Sequence, residues 1–192
     1  MNIRLTPCRA RRLATTLGNL LALAALPLAT FAWELQQASI MTPWAQLVDP
    51  NAPLPEYPSP QMVRTNWMNL NGLWQFQSGT LSDPVPTNQV LNSEILVPFP
   101  MESALSGVMQ HHPRSWYRRT FTVPATWSGQ RVLLHFGAVD WESEVFVNGQ
   151  SVGVHKGGYD PFSYDITAFI TASGPQELIV RDKVQFLTGV VW

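Results

Sequence analysis

Residues Asp140 to Thr167 read DWESEVFVNGQSVGVHKGGYDPFSYDIT. Trp141, Ser143, Val145 and Val147 alternate with Asp140, Glu142, Glu144 and Phe146. One face is largely apolar and the other acidic, the pattern of a half-buried strand. Asn148-Gly149 supplies the positive-φ pair that a type I′ hairpin turn demands, so Ser151 to His155 is predicted to return as the partner strand. Gly157-Gly158 lets the chain bend where a Cβ would obstruct it. Tyr164 to Thr167 resumes as strand, with one helical turn expected over Thr167 to Ile170.

Working outward, the same grammar of short strands and turns repeats. NLNGLWQFQ (Asn69 to Gln77) has a turn at Asn71-Gly72 and then a strand. Residues 78–93 read as a long polar loop. Ile95 to Val97 form a short buried strand closed by Pro98 and Pro100, and Met101 to Arg114 is loop. SWYRRTFTVP (Ser115 to Pro124) is a strand with Tyr117, Arg119, Phe121 and Val123 on one face and Trp116, Arg118, Thr120 and Thr122 on the other. Arg131 to Phe136 and Glu177 to Arg181 complete a set of about eight strands with no long amphipathic helix, which indicates an all-β sandwich. Between Trp33 and residue 65 the prolines Pro43, Pro50, Pro53, Pro55, Pro58 and Pro60 leave neither a helical nor a strand period. That stretch is read as an extended leader to the sandwich at 66–181.

Composition narrows the function classes. The chain has 192 residues, 45% of them hydrophobic, enough for one core of ordinary size. Only 13% are charged, against the usual quarter, and eight are tryptophan. Most of these indoles are read as core, with stacking on sugar rings as the alternative. Residues 1–32 follow the plan of a secretory signal peptide. Arg4, Arg9, Arg11 and Arg12 precede an apolar run from Leu17 to Phe31, and small residues at Thr30 and Ala32 mark a cut after Ala32. Arg11-Arg12 leaves twin-arginine export open beside the general route. Cleavage removes those four arginines and Cys8, the one cysteine. A net acidic, cysteine-free mature chain excludes a nucleic-acid footprint, a disulfide framework and a cysteine zinc site. It is expected in a periplasm or outside the cell, with no membrane span in the mature chain.

Four segments, in order, resemble the N-terminal domain of family 2 glycoside hydrolases, the group of β-galactosidases, β-glucuronidases and β-mannosidases. NLNGLWQF is similar to its opening strand, VPFPMESALSGV (Val97 to Val108) to the loop before its second hairpin, and SWYRRTFTVP to its signature strand. VFVNGQSVGVHKGGYDPFSYDIT (Val145 to Thr167) is similar to the best-known stretch of the domain. The resemblance implies a jelly-roll, galactose-binding-like β-sandwich, followed in the family by an immunoglobulin-like domain and a (β/α)₈ barrel that carries both catalytic glutamates. No segment here matches the motifs of those glutamates, so no catalytic residue is carried over. In the family, loops at one end of the sandwich approach the active-site mouth of the barrel. Glu102, in the loop after Val97, and Asp160, in the double-glycine bend, are the acids expected to face that mouth or a sugar. Each has a turn-stabilising or exposed role as its alternative. Residues 182–192, DKVQFLTGVVW after the initial match, do not fit the family pattern. A truncated or frameshifted product is therefore expected, with a missing closing strand and a wet, aggregation-prone core.

The residues themselves support no independent hydrolytic site. Retaining and inverting glycosidases set two carboxyls roughly 5 Å or roughly 6.5–9.5 Å apart, flanking the scissile bond. Glu142 and Glu144 have a permissive spacing, about 6.5–7 Å by strand rise. On one straight strand, however, both point the same way and cannot flank a bond, so a solvated face is the better account. His111-His112 is read as ordinary loop with no metal site. Gly157-Gly158 lacks the spacing of a phosphate loop, and no cofactor is implied. Trp141 is assigned to core packing by its face parity. Three roles remain open: a non-catalytic accessory sandwich of a family 2 glycosidase, a free-standing lectin-like module, and a docking partner of a separate catalytic chain.

Overall fold

The computed structural model describes residues 32–183 apart from 59 and 81. Residues 1–31, all but the last residue of the segment read as a signal peptide (1–32), and residues 184–192 lie outside the described residues. Eight strands follow in order: β1 (Gly72–Ser78), β2 (Ser93–Val97), β3 (Ser115–Phe121), β4 (Leu133–Phe136), β5 (Glu142–Val147), β6 (Gln150–Lys156), β7 (Phe162–Asp165) and β8 (Gln176–Lys183). Every pairing is antiparallel. Six strands form one sheet in the order β2-β1-β3-β8-β5-β6, and β4 pairs with β7 in the second. No helix among the described residues is long and apolar enough to cross a membrane.

The core is the product of alternation. Trp74 and Phe76 of β1, Ile95 and Val97 of β2, Tyr117 of β3, Leu178 and Val180 of β8, and Val145 and Val147 of β5 all point to one face of the large sheet. Leu134 and Phe136 of β4 meet them from the second sheet, with Val132, Val139 and Ile166 filling the rim. The jelly-roll sandwich expected from the sequence is the fold observed. Asn148 and Gly149 have φ of 49° and 78°, as the hairpin turn requires. Beyond the turn the β5–β6 register shifts between Val145 and Phe146. A Cβ on Gly153, opposite Val145, would overlap the edge of the Tyr164 ring, so a side chain there would clash with β7.

Three readings change on the structure. The polar stretch 78–93 is no mere excursion: Leu91, with Val85 beside it, packs on Trp116, Phe146 and Ile179 as a second apolar cluster on the outer face. Phe146, on the face read as solvated, is therefore 6% exposed. The strand expected at Tyr164 to Thr167 begins earlier, because Phe162 pairs with Phe136 and stacks on it at 4.8 Å between ring centroids. It ends at Asp165, whose carboxylate turns back to accept the Thr167 N–H and hydroxyl. The turn expected after it is present as one hydrogen-bonded turn, closed by the Phe169 N–H on the Ile166 carbonyl.

The leader lies on the sandwich at several points. Leu54 O accepts the Asn69 side-chain amide at 2.9 Å, and Tyr57 meets Trp67 edge-on at 4.8 Å. Trp33 donates its indole N–H to Leu105 O at 3.1 Å. Short 3₁₀ turns occur at Pro43–Leu47 and Pro60–Met62.

Candidate functional site

The polar chemistry concentrates where β3 begins, β8 ends and β5 begins. Register sets Ser115, Asp182 and Ser143 side by side. Alternation along β8 sends Asp182 to the same inner face as Leu178 and Val180, so an acid is held in an apolar row at 1% exposure. The loop from Val97 to Ser115 crosses this face, burying Met101 completely and bringing Glu102 within electrostatic reach of Asp182. Burial pushes the Asp182 carboxyl well above the usual carboxylate range, and the charges of Asp140 and Glu102 push the same way. Burial, then Asp182 and Glu102, likewise raise the Tyr117 phenol.

Four buried oxygens here have no protein hydrogen-bond partner: Glu102 Oε2, Tyr117 Oη, Ser143 Oγ and Asp182 Oδ1. The other Glu102 oxygen takes His111 Nδ1 at 3.1 Å, a pairing that sequence spacing did not suggest. Such a set is chemically suited to a shared proton. A carboxyl kept neutral by burial becomes a donor as well as an acceptor. It is enclosed in the sandwich and does not flank an open cleft.

The sequence-based candidates separate. Glu102 joins this cluster, half-buried. Asp160 is exposed in the turn between β6 and β7, beside Gly157, and no hydrogen bond or ion pair links it to Glu102 among the described residues. The double-glycine turn instead closes over Asp140, since a Cβ on Gly158 would overlap the Asp140 carboxyl. Trp141, assigned to the core by parity, is half-buried outside both apolar clusters. It precedes the strand proper, where its neighbours are Lys156 and Lys183, each with its ammonium under 6 Å from the indole centroid. Glu142 pairs with the same two lysines at 3.3 and 3.7 Å, and Glu144 pairs with Arg181 and accepts from Ser151 Oγ. The acidic face of β5 is thus tied across the sheet to basic partners. Among the described residues no group of three His, Cys, Asp or Glu is disposed to hold a metal ion.

A cavity of about 1040 Å³ opens between the two sheets. Trp74, Phe136, Ile166 and Val180 are among its apolar walls, and Arg64, Asn66, Arg131 and Ser163 lie among its polar residues. Trp67, also on its wall, stacks on His135 with centroids 5.8 Å apart. Alternation does not foretell this space, because it reports which face is apolar and not how completely the opposite sheet covers it.

Residues 70–187 match the family described as glycosyl hydrolases family 2, sugar binding domain. The chain is similar to a β-galactosidase of Thermoanaerobacter pseudethanolicus, 46% identical over 65 residues, which is 34% of this chain and 9% of that protein. It is also similar to a β-glucuronidase of Paenibacillus borealis, 33% identical over 108 residues, covering 52% of this chain and 18% of the relative. Among solved structures, the β-glucuronidase of Faecalibacterium prausnitzii superposes with a TM-score of 0.53 at 31% identity, over 60% of this chain and 20% of that one. The chain therefore spans a fifth or less of the length of each of these three proteins.

Proposed function

The chain belongs to the family 2 glycosyl hydrolases through their sugar binding domain, and from that premise we propose that it serves as a non-catalytic accessory sandwich for the hydrolysis of β-glycosides. The observation that carries this reading is the state of its carboxyls. Glu142 and Glu144 are ion-paired across the sheet, while Glu102, Asp140 and Asp182 gather inside the sandwich. Neither group presents two acids on opposite sides of an open bond-sized gap, which glycoside hydrolysis needs. The relatives are a β-galactosidase and β-glucuronidases, so galactosides and glucuronides are the proposed substrate class of the assembled enzyme. Docking to a catalytic barrel is its proposed partner interaction, with Glu102 and Asp160 as the acids to test at that contact. The test is to incubate the purified full chain with aryl β-galactoside and β-glucuronide. No release of the aryl alcohol is expected, and turnover that co-purifies with the chain and is lost in a Glu102→Gln variant would overturn the reading.

A lectin-like role is favoured by one specific feature. Trp67, Tyr57 and His135 form an aromatic group on the wall of the inter-sheet cavity, with Asn66 and Ser163 available for sugar hydroxyls. Glycan binding that is lost in Trp67→Ala, without hydrolysis, is the result that distinguishes it. Export is proposed with either role, on the basic start, the apolar run to Phe31 and the small residues at Thr30 and Ala32. Fractionation of expressing cells, with the protein found only in the cytoplasm, would count against it.

A further inference from the structure

We propose that removal of the signal peptide creates a ligand for the fold itself: the new α-ammonium of Trp33 binds the carboxylate of Glu94 and locks the leader onto the sandwich. The inference rests on the export reading, with its cut between Ala32 and Trp33. The seat for that terminus is already built. Trp33 N lies 3.2 Å from Glu94 Oε2. The Trp33 indole N–H donates to Leu105 O at 3.1 Å, and Gln36 N–H donates to Ala104 O at 3.1 Å. The ring rests on Gly107, which has φ of +84° and no room for a Cβ against Trp33. Three contacts thus fix one residue, at the position where the sequence pattern places the cut.

In the uncleaved chain the Trp33 nitrogen is a neutral amide with one proton to donate. Signal-peptidase hydrolysis adds water across the Ala32–Trp33 amide. The Ala32 acyl carbon leaves as a carboxylate, and the Trp33 nitrogen keeps the chain as an ammonium. The same atom then carries a full charge and three donors toward Glu94, and charge-assisted bonds are roughly twice as strong as neutral ones. Glu94 of β2 faces this nitrogen, while Leu105 O and Gly107 lie against the indole of the same residue. Among the described residues no basic side chain forms an ion pair with Glu94. On a route where cleavage precedes folding, the ammonium is present when β2 and the 98–114 loop assemble around it. The contact then distinguishes a processed chain from an unprocessed one.

The experiment uses the full chain exported from a bacterial host. Mass spectrometry of the recovered protein should find Trp33 at its N-terminus. Acylation of that α-amine by an excess of amine reagent at pH 7 is then followed on the N-terminal peptide, which needs only trace soluble protein. Each pH unit by which pairing raises the amine's pKa lowers the reactive fraction about tenfold. The wild type should therefore react at least about threefold more slowly than Glu94→Gln, with the difference gone in strong denaturant. Gly107→Ala, which keeps Glu94 but evicts the indole, should react as fast as Glu94→Gln. Recovery with residues 1–32 attached, or with another terminus, overturns the export reading and this inference with it. A Trp33 terminus that reacts equally fast in all three proteins overturns the capture alone.

Discussion

Ser143 and Asp182 face each other across β5 and β8, both buried and each with an oxygen that no protein group satisfies. At this point the inner row of β8, Leu178 then Val180, changes from hydrocarbon to acid. An ionised carboxylate there is disfavoured by burial and by its acidic neighbours. Replacing it by Asp182→Val continues the apolar row and should stabilise the protein at pH 7 by about 1–3 kcal/mol, the range for removing an unsatisfied buried polar group. Urea denaturation measures it.

The same residue sets a pH dependence. Its folded pKa lies above the unfolded value of about 3.9, so the folded state holds the proton more tightly. Stability from this group is complete below the unfolded pKa and declines as pH rises through the raised folded pKa. Thermal unfolding should therefore show a fall in Tm from pH 4.5 toward neutrality that is reduced in Asp182→Asn. Identical slopes in the two proteins would contradict the assignment.

Asp165 behaves in the opposite sense. The Thr167 hydroxyl, then the Thr167 N–H, then Arg131 favour its charged form, and its pKa falls to about 2. Its contribution is present above the unfolded value of about 3.9 and is lost as pH falls through about 2. A carboxyl NMR titration should find Asp165 ionised at pH 3, and Thr167→Val should move its midpoint upward.

Arg118 and Glu177 form an ion pair at 2.6 Å on the outer face, with side chains 13% and 8% exposed. Gln75 takes the other arm of Arg118 at 2.9 Å, and Glu177 accepts the Asn88 N–H at 2.9 Å. Breaking a buried pair from one side leaves a stranded charge and costs about 3–5 kcal/mol. Glu177→Ala or Arg118→Met alone should approach the lower end of that range, because both side chains keep some exposure. The double variant should lose less than the two single losses combined, which a double-mutant cycle on urea midpoints reads directly.

The inter-sheet cavity offers an apolar wall to solutes. The full chain should bind an environment-sensitive apolar dye in its folded state and self-associate at micromolar concentration. Leu134→Trp, which adds bulk to the wall, should reduce dye fluorescence. A monomer with no dye response would argue that the space is closed in solution.

Much of the fold was legible in the residues. Ser143 and Val145 alternate with Glu142 and Glu144, Asn148-Gly149 supplies the turn, and Ser115 to Phe121 carries apolar groups on both faces, as a strand at the centre of a sandwich does. The rest depended on long-range partners that alternation does not encode. Nothing local says that Leu91 will cover Phe146, that lysines from β6 and β8 will flank Trp141, or that Glu102 will find His111 across its own loop. Asp182 shows the limit well: its type suggests a surface residue, and only its register between Ser115 and Ser143 places it inside. Of the buried cluster, Glu102 was singled out from the sequence only as an acid facing a barrel or a sugar, while its companions Tyr117, Asp140 and Asp182 come from three separate segments.

The place of β8 also carries a consequence in time. It is the last strand described in the chain, yet it lies between β3 and β5 in the middle of the large sheet. While the polypeptide is being made, β2, β1 and β3 can form one fragment and β5 with β6 another, but neither has its neighbour until residues 176–183 emerge. The two fragments wait with open edges for a keystone that follows the other seven described strands, and any delay in delivering that strand prolongs the interval in which both edges can pair with the wrong chain.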